Sequence, residues 1–311
     1  MTAFPATARF VLTGPSGWIG QAMLDALARV LGARLGGRVT AFASQARTMT
    51  LASGEALEVR ALETITPDDV AGAHVIHLAY LTKEKADLLG PDAFDTTNDA
   101  IDEALLAALR GATSASLFVA SSGAAALAER GADRHPYGLA KLRQETRFLD
   151  WARTAGVPAI AGRIFNIAGP HINKLRSYAI SDFALQAREN GSIRIQAGLP
   201  VFRSYLHVED LCALVLEAAR SHVGRAAPID FCGTEIVEMG DLAELVAQAS
   251  QSDITIHRST VNFDSSSLYL GDPTHTKVLA MELGIDLRPL AVQVSDTLDW
   301  LWGSTAPVVV P

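Results

Sequence analysis

Short apolar runs alternate with longer amphipathic stretches through the first half of the chain. The runs that predict β-strands lie at residues 9–14, 37–43, 56–62, 73–80, 115–122 and 158–166. Patterns typical of helices lie between them, at residues 20–33, 96–110 and 137–154. Apolar strands separated by helices indicate a parallel sheet that is covered on both faces. Because crossovers between parallel strands are right-handed, we predict an α/β chain with a doubly wound parallel sheet.

This alternation ends near residue 170. The stretches "GPHINKLRSY" and "AGLPVFRSYLH" read as loops that hold many of the basic residues, and "APIDFCG" (227–233) predicts a strand that rejoins the sheet. Neither a repeat nor a flexible linker separates the two parts of the sequence. We therefore predict a sheet domain, residues 1–168 and about 204–234, interleaved with a smaller C-terminal lobe, about 169–203 and 235–311.

Composition narrows the classes of protein that the chain can belong to. Its 311 residues are 49% hydrophobic, which is enough to bury a large core, and its net charge of −8 argues against general nucleic-acid binding. No run is long and apolar enough to span a bilayer, and the first residues lack the order of a signal peptide, so we expect a cytoplasmic protein. Cys212 and Cys232 stand in apolar surroundings, which predicts two buried thiols and not a disulfide or a metal pair.

The first strand leads into "TGPSGWIGQAMLDAL", with glycines spaced as G-x-x-G-x-x-G at a strand-to-helix junction. Glycines there allow a tight turn and a close approach of the backbone to a pyrophosphate, which then faces the N-terminus of the helix. An ordinary tight turn is the alternative, but the position in the first strand–helix unit favours a Rossmann dinucleotide site. The predicted cofactor-binding residues of this loop are Gly14, Ser16, Gly17, Trp18, Ile19 and Gly20.

Tyr137 and Lys141 are four residues apart in "DRHPYGLAKLRQE", so they share one face of the predicted helix. A free tyrosine titrates near pH 10, and a neighbouring ammonium favours the phenolate and lowers that pKa. The pair can therefore supply an acid or a base, although a packed tyrosine beside a solvated lysine has the same spacing.

The loop and the Tyr-x-x-x-Lys pair together resemble the short-chain dehydrogenase/reductase superfamily. Five further segments occur in the order of its extended branch, the NAD-dependent epimerase/dehydratase family, and cover nearly the whole chain. They are "HLAY", "TTNDAIDEALLAALR", "GRIFNIAGP", "FRSYLHVEDLCALV" and "DPTHTKVLAMELGI".

The resemblance implies a Ser-Tyr-Lys catalytic set. Tyr137 would be the general acid/base, Lys141 would bind the nicotinamide ribose and tune Tyr137, and Ser122, the second serine of "VASSGAA", would orient the reacting oxygen. It also implies that the sheet domain binds the dinucleotide and that the smaller lobe binds the substrate. The further residues that it implies for the cofactor are Leu78, Ala79 and Asn98, and those that it implies for a nucleotide-sugar diphosphate are Asn166, Asn173 and Arg203. Arg163 is as consistent with a structural role as with a functional one.

The chain departs from the family pattern after the catalytic serine. Gly123 and Ala124 stand where the family's 4,6-dehydratases have Asp-Glu, so dehydration lacks its acid and base. Residues 125–127, Ala-Ala-Leu, replace the usual Val-Tyr-Gly, which predicts a sugar pocket of different shape. Four histidines show no metal-ligand spacing and are read as local hydrogen-bonding residues: His77, His135, His171 and His207.

A second departure concerns the cofactor. A carboxylate at the end of the second strand would hold both ribose hydroxyls of NAD, but "TAFASQAR" has Ser44 and Arg47 there. A small residue with a nearby arginine leaves room for a 2′-phosphate and neutralises it, so NADP(H) is favoured over NAD(H). The alternative is that Arg47 points into solvent. Arg60 also replaces the usual acidic residue after the third strand.

These features predict an oxidoreductase that acts on a nucleotide-linked sugar, and an NADPH-dependent 4-ketoreductase is slightly preferred. Overall similarity to the family's UDP-glucose 4-epimerases keeps an epimerase with tightly bound NAD as an alternative, and a reductase of a non-sugar carbonyl as another. A non-catalytic cofactor sensor is disfavoured because both Tyr137 and Lys141 are present. The apolar stripe of "AIDEALLAALR" suits a helix–helix interface and predicts a homodimer, unless the stripe packs only on its own sheet.

Overall fold

The computed structural model describes residues 4–32 and 35–303. Within these ranges the chain forms two compact units. The first comprises the described residues up to Ile164 together with Cys212–Asp230, and the second comprises Phe165–Leu211 and residues 231–303. The two units are interleaved along the sequence.

The first unit alternates strands and helices. It contains β1 (Phe10–Thr13), α1 (Trp18–Leu31), β2 (Val39–Ala43), β3 (Arg47–Thr50), β4 (Ala56–Ala61), α2 (Pro67–Val70), β5 (His74–His77), α3 (Lys83–Leu89), α4 (Pro91–Gly111), β6 (Ser116–Ser122), α5 (Gly123–Glu129), α6 (Pro136–Ala155) and β7 (Ala159–Ile164). A short 3₁₀ turn, Leu62–Thr64, follows β4. The later part of the chain contains β8 (Asn166–Ala168), α7 (Ala179–Asn190), β9 (Ser192–Ile195), β10 (Val201–His207), α8 (Val208–Arg220), β11 (Ile229–Phe231), β12 (Ile236–Glu238), α9 (Met239–Ala249), β13 (Thr255–Arg258), β14 (Ser267–Tyr269), α10 (Pro273–Leu283) and α11 (Leu290–Gly303).

An eight-stranded sheet has the order β11-β7-β6-β5-β1-β2-β4-β3. Strands β5, β6 and β7 are buried along their whole length, as expected for a parallel sheet covered on both faces. One face packs Val11 and Val75 against Leu105 of α4 and Phe148 of α6. The predicted doubly wound parallel sheet is confirmed, and β11 rejoins it beside β7 as the "APIDFCG" pattern predicted.

Strand β3 was not predicted from the sequence. It runs antiparallel to β4 at the edge of the sheet, with Arg47 opposite Val59 and Thr50 opposite Ala56. Three of its four residues are exposed and the fourth is half-buried, so it lacks the apolar alternation that would have revealed it. Arg47 therefore begins a strand and does not lie in the tail of β2.

The smaller lobe holds more strands than the sequence indicated. The prediction of a loop for "AGLPVFRSYLH" is wrong for Val201–His207, which form β10. This strand pairs with β8, β12 and β14, all in the second unit, so residues 204–211 belong to that unit and not to the sheet domain. The preceding stretch, residues 169–178, contains neither helix nor strand, as predicted.

The apolar stripe of α4 is buried inside the first unit. Leu105, Leu106 and Leu109 lie in the same core cluster as Phe148, so the stripe packs on its own sheet. Ion pairs link the outward sides of α4 and α6, including Asp95 with Arg143. The homodimer prediction therefore loses the support of this stripe.

Neither cysteine forms a disulfide, and both are buried. Among the described residues, no helix combines the length and the hydropathy needed to cross a membrane.

Candidate active site

The strand order reverses between β1 and β5. The chain builds the sheet from β1 outward through β2 and β4, and then returns to the other side of β1 to place β5, β6 and β7. In open parallel sheets, ligands bind in the crevice at the carboxyl ends of the strands where this reversal occurs. The glycine loop follows β1, and Leu78 and Ala79 follow β5, so the fold brings these predicted residues to one edge of the sheet.

The glycine loop needs glycine at two positions for its own packing. Gly14 has a φ of +73°, and a Cβ there would lie 2.9 Å from the backbone nitrogen of Ala79. A Cβ at Gly20 would clash with the carbonyl oxygen of Gly14. At Gly17 the nearest atom would be that same oxygen at 3.6 Å, an ordinary van der Waals contact, so packing does not require glycine there.

The N-terminus of α1 fits an anionic group. Its N-cap is Gly17, which offers no side-chain hydrogen bond, and the first turn contains no acidic residue. The positive end of the helix dipole is therefore not compensated by a carboxylate, and a pyrophosphate is the ligand that such a strand–glycine–helix junction suits.

Arg47 lies beside this loop. Its Nη2 donates a hydrogen bond of 2.7 Å to the Oγ of Ser16, although both side chains are exposed. The reading in which Arg47 only points into solvent does not describe this geometry. Ser44, also exposed, follows the end of β2, and no carboxylate stands between it and Arg47.

The backbone of the segment after β5 is held by the side chains of Thr13 and Asn98. The N–H groups of Leu78 and Ala79 each donate to the Oγ1 of Thr13 at 3.1 Å. The Oδ1 of Asn98 accepts from the N–H of Leu81 at 2.9 Å, and its Nδ2 donates to the carbonyl of Phe94 at 3.1 Å. The side chain of Asn98 therefore holds the backbone of the segment that follows β5, where the predicted cofactor-binding residues Leu78 and Ala79 lie.

Tyr137 and Lys141 occupy the first turns of α6. The N-cap residue is His135, whose Nδ1 accepts a hydrogen bond from the N–H of Tyr137 at 3.1 Å. The half-buried ring of Tyr137 lies 6.4 Å from the rings of both Tyr80 and Phe94. The predicted Tyr–Lys pair thus shares one helical face, one turn apart.

Lys141 is almost completely buried, with 4% of its surface exposed. Its Nζ donates to the carbonyl of Ala120 at 2.7 Å and to the Oε1 of Gln144 at 2.9 Å, and it lies 3.6 Å from the ring centroid of Tyr80. Burial lowers the pKa of Lys141 from 10.5 to about 7, while the carboxylates of Asp102 and Glu145 act in the opposite direction. Lys141 is therefore a buried cation whose charge state is sensitive to its neighbours.

Ser122 and Ser121 have different partners. The Oγ of Ser122 accepts from the N–H of Ala124 at 3.2 Å and caps α5, whereas the Oγ of Ser121 donates to buried Glu145. Gly138, the residue after Tyr137, lies so close to α5 that a Cβ there would be 2.7 Å from the carbonyl oxygen of Ala124. The turn that carries Ser122 is therefore packed against the turn that carries Tyr137.

Arg163 has a structural role. Its guanidinium donates to both carboxylate oxygens of Glu145, at 2.9 and 2.8 Å, and to Glu129 at 2.7 Å. Because Glu145 also accepts from Ser121, this ion pair joins β6, α6 and β7. Of the structural and functional roles that the sequence left open for Arg163, these contacts support the structural one.

The residues predicted for the diphosphate lie in the second unit. Asn166 pairs with Tyr205 across β8 and β10, and Arg203 is two residues before Tyr205, so Asn166 and Arg203 are on the same face of this strand pair. Arg203 donates to the carbonyls of Phe202 and Ser267, and among the described residues no carboxylate pairs with it. Burial lowers the pKa of Arg203. Asn173 is exposed in the segment before α7.

Of the four histidines that were predicted to be local hydrogen-bonding residues, His135 and His207 form such bonds here. The Nε2 of His135 contacts Asp87 at 2.9 Å, and the Nδ1 of His207 accepts from the N–H of Glu209 at 3.2 Å. The ring of His171 lies 4.4 Å from that of Trp300. In the part of the chain that the structure describes, no three metal-ligating side chains converge.

Three residues of this site were missed in the sequence: Tyr80, Asp102 and Gln144. Tyr80 ends the "HLAY" segment, and Gln144 is one turn beyond Lys141, so both had a positional signal. The signal for Asp102 was different. It lies on the same buried face of α4 as Asn98 and Leu105, and a buried carboxyl is costly unless it is hydrogen-bonded.

Comparison with known proteins gives a match over most of the chain. Residues 10–231 match the model of the family described as "NAD dependent epimerase/dehydratase family". A GDP-6-deoxy-D-mannose reductase of Pseudomonas aeruginosa is 30% identical over 128 residues, which span 40% of this chain and 41% of that protein. The curated relatives are therefore matched over only about two fifths of their length; for the UDP-glucuronic acid decarboxylase 6 of Arabidopsis thaliana this share is 35%.

Solved structures match along nearly the whole chain. A UDP-N-acetylglucosamine 4-epimerase from Methanobrevibacter ruminantium has a TM-score of 0.73 at 18% identity and covers 98% of this chain and 100% of its own. The structure of RMD from Pseudomonas aeruginosa, complexed with NADPH, has a TM-score of 0.67 at 23% identity and covers 94% and 99%. At these identities the two structures show a shared fold.

The buried ammonium predicts a pH-dependent contribution to stability, which the Lys141→Met variant isolates. The folded-state pKa of Lys141 lies below its unfolded value, so between about pH 7 and 10.5 the unfolded chain holds the proton that the folded chain has lost. The stability of the wild type relative to Lys141→Met should therefore rise with pH across this window, by up to about 1.4 kcal/mol per pH unit. Urea denaturation of both proteins between pH 6 and 10 measures the difference. A difference that does not change with pH would contradict the lowered pKa.

Proposed function

Because the chain belongs to the NAD dependent epimerase/dehydratase family, we propose that it is an NADPH-dependent reductase of the keto group of a nucleotide-linked sugar. The family membership that the sequence motifs predicted is thereby confirmed. The reaction and the roles of individual residues are proposals, and each is supported by a separate feature of the site.

The proposal is carried by the buried ammonium of Lys141 one turn from Tyr137. When bound, NADPH supplies the hydride that reduces the carbonyl carbon. The phenol of Tyr137 donates a proton to the oxygen of that carbonyl, and Ser122 donates a hydrogen bond to the same oxygen and orients it. The cation of Lys141 stabilises the phenolate that remains, and binding of the nicotinamide ribose is its second role.

Arg47 supports NADP(H) as the cofactor. Its hydrogen bond to Ser16 holds a permanent positive charge beside the loop that we assign to the pyrophosphate. A guanidinium can donate two parallel hydrogen bonds to a phosphate, and small Ser44 leaves room for one. We assign pyrophosphate binding to the residues of the glycine loop, Gly14, Ser16, Gly17, Trp18, Ile19 and Gly20. We assign further cofactor contacts to the segment after β5 and its neighbour on α4, Leu78, Ala79 and Asn98.

Arg203 supports an anionic substrate. It is a half-buried cation that no carboxylate neutralises among the described residues, and a diphosphate is the type of anion that its planar fork suits. We assign diphosphate binding to Arg203, Asn166 and Asn173 in the smaller lobe, and dinucleotide binding to the sheet unit. The partial match to a GDP-6-deoxy-D-mannose reductase agrees with a nucleotide-sugar substrate.

The alternative is a nucleotide-sugar 4-epimerase with tightly bound NAD, for which the Ser-Tyr-Lys set would serve equally. The two differ in how they use the cofactor. A reductase consumes added NADPH once per turnover, whereas an epimerase carries its own cofactor and needs none. Absorbance and mass analysis of the purified protein, followed by turnover of nucleotide sugars with and without NADPH, separates them. Consumption of NADPH with simple ketones alone would instead indicate a reductase of non-sugar carbonyls.

One prediction of this proposal concerns the acid. Tyr137→Phe removes only the hydroxyl, so it should preserve folding and NADPH binding while reducing kcat by about 10²- to 10⁴-fold, the usual loss of a general acid. Tyr178→Phe, in a different unit, is the matched control and should retain kcat. Turnover of Tyr137→Phe close to that of the control would remove Tyr137 from the mechanism.

A second prediction concerns the cofactor. Arg47→Ala should weaken NADPH binding by roughly 10- to 150-fold and leave NADH binding nearly unchanged, because the lost charge-assisted contact is worth about 1.5–3 kcal/mol. Ser44→Asp should act in the same direction, since its carboxylate repels a 2′-phosphate. The exposed Arg153 provides the control variant Arg153→Ala. Fluorescence titration of both dinucleotides measures the preference, and a wild type that already prefers NADH would overturn the NADP(H) assignment.

The oligomeric state and the location are separate predictions. We keep the homodimer and the cytoplasmic location as predictions from the sequence. Light scattering of the purified protein at micromolar concentration tests the first, with a mass of two chains expected. A mass of one 33.0 kDa chain would instead agree with the observed packing of the α4 stripe on its own sheet.

A further inference from the structure

A chain of hydrogen bonds runs from Lys141 through the interior of the first unit. The Nζ of Lys141 donates to the Oε1 of Gln144 at 2.9 Å, and the Nε2 of Gln144 donates to the Oδ1 of Asp102 at 2.7 Å. The same Oδ1 lies 3.2 Å from the Nε2 of His77, whose Nδ1 lies 2.8 Å from the Oγ1 of Thr13. Each of these five residues is at most 4% exposed.

The positions of the protons follow from Thr13. Its Oγ1 accepts two backbone N–H groups, from Leu78 and Ala79, and has no lone pair left for a third donor. The hydroxyl therefore donates to the Nδ1 of His77, and the Nε2–H of His77 donates to Asp102. Since the amide of Gln144 also donates to Asp102, the Oδ1 of this carboxyl accepts a hydrogen bond from each side of the relay.

Asp102 is the carboxylate that the side chain of Gln144 connects to Lys141. The other nearby carboxylate, Glu145, is engaged by Arg163 and Ser121. Burial, followed by the charge of Asp102, raises the pKa of Tyr80, so its phenol is neutral beside the ammonium.

The remaining charged groups that face this cluster lie toward the surface. Arg147 approaches the Oδ2 of Asp102 at 3.8 Å, but its guanidinium also pairs with Asp99 and Glu103. Arg143 pairs with Asp95, and Tyr137 precedes Lys141 on the same helix. The negative charge of Asp102 is thus only partly balanced from outside and is available to the buried ammonium.

We propose that Asp102 and Gln144 are positioning residues, which act through one hydrogen-bonded relay to hold the side chain of Lys141 in place and keep it protonated. The relay continues through His77 and Thr13 to the backbone of Leu78 and Ala79, so the same carboxylate links the lysine to the predicted cofactor segment. The inference rests on the proposed function, in which the cation of Lys141 supports Tyr137.

The variant Asp102→Asn removes the charge and retains the hydrogen bonds. The amide oxygen of asparagine can accept from both His77 and Gln144, as the carboxylate oxygen does. The matched control is Asp99→Asn, which removes an exposed carboxylate less than one turn earlier on α4 that also pairs with Arg147 but does not contact Gln144.

The protonation of Lys141 can be measured without cofactor or substrate. The chain contains five lysines, Lys83, Lys85, Lys141, Lys174 and Lys277, so protein labelled with [ε-¹³C]lysine gives five NMR signals to titrate. Lys141→Met identifies the signal of Lys141. We expect the Lys141 pKa to be well below the other four, to fall by about one further unit in Asp102→Asn, and to shift by less than about 0.3 unit in Asp99→Asn, whose charge is screened. An unchanged pKa in Asp102→Asn would overturn the proposal.

Two further measurements cover the other outcomes. If Asp102→Asn does not fold, Gln144→Met, which breaks the relay beside the lysine, should lower the same pKa; an unchanged value again overturns the proposal, as does an ordinary Lys141 pKa in the wild type. Kinetics separate this inference from the proposed function. In the pH profile of kcat/KM, the limb that falls with rising pH should move to lower pH in Asp102→Asn, by the same amount as the pKa of Lys141. At pH 7.5 this shift lowers kcat/KM by about five- to tenfold. An NMR shift without this kinetic change would leave the coupling intact and remove Lys141 from the proposed mechanism.

Discussion

The burial of one ammonium group constrains much of the sheet unit. Taking a charge out of water costs several kcal/mol unless partners replace the lost hydration, and Lys141 is almost fully enclosed. Its Nζ donates to the carbonyl of Ala120 and to the Oε1 of Gln144, and it lies over the ring of Tyr80. These partners come from β6, α6 and the segment after β5, so each of these elements must be in place before the lysine can be buried.

The same requirement orients the other candidate catalytic groups. Because Lys141 binds the carbonyl of Ala120, the end of β6 is held close to α6, and the Ser121–Glu145–Arg163 contacts also join it to α6 and β7. Ser122 then has little freedom and caps α5 beside the turn of Tyr137. Gln144 contacts Lys141 directly and Asp102 contacts Gln144, so we expect substitutions at either position to act on the proposed catalytic groups through Lys141.

The sequence predicted those features that are written in short-range spacing. Continuous apolar strands, the glycine loop and the Tyr137–Lys141 pair each occupy a few neighbouring residues, and each was placed correctly in the fold. The relay could not be predicted in this way, because His77, Asp102 and Gln144 come from three distant segments and meet only when β5, α4 and α6 are packed. Strand β3 was missed for a different reason: an exposed edge strand of four residues has no apolar pattern, and only its pairing with β4 defines it.

Strand β3 matters because it determines how the second cation of the site is presented. An arginine in a loop could sample many positions, whereas Arg47 begins a strand that is fixed opposite Val59 and therefore reaches the glycine loop at Ser16. This guanidinium is exposed, permanently charged and costs little to solvate, which suits recognition of a phosphate. Lys141 is the opposite case, since its burial makes its charge costly and adjustable. Arg47 thus carries a fixed charge, whereas the charge of Lys141 depends on its neighbours, and a charge of the second kind is what the acid role proposed for Tyr137 requires.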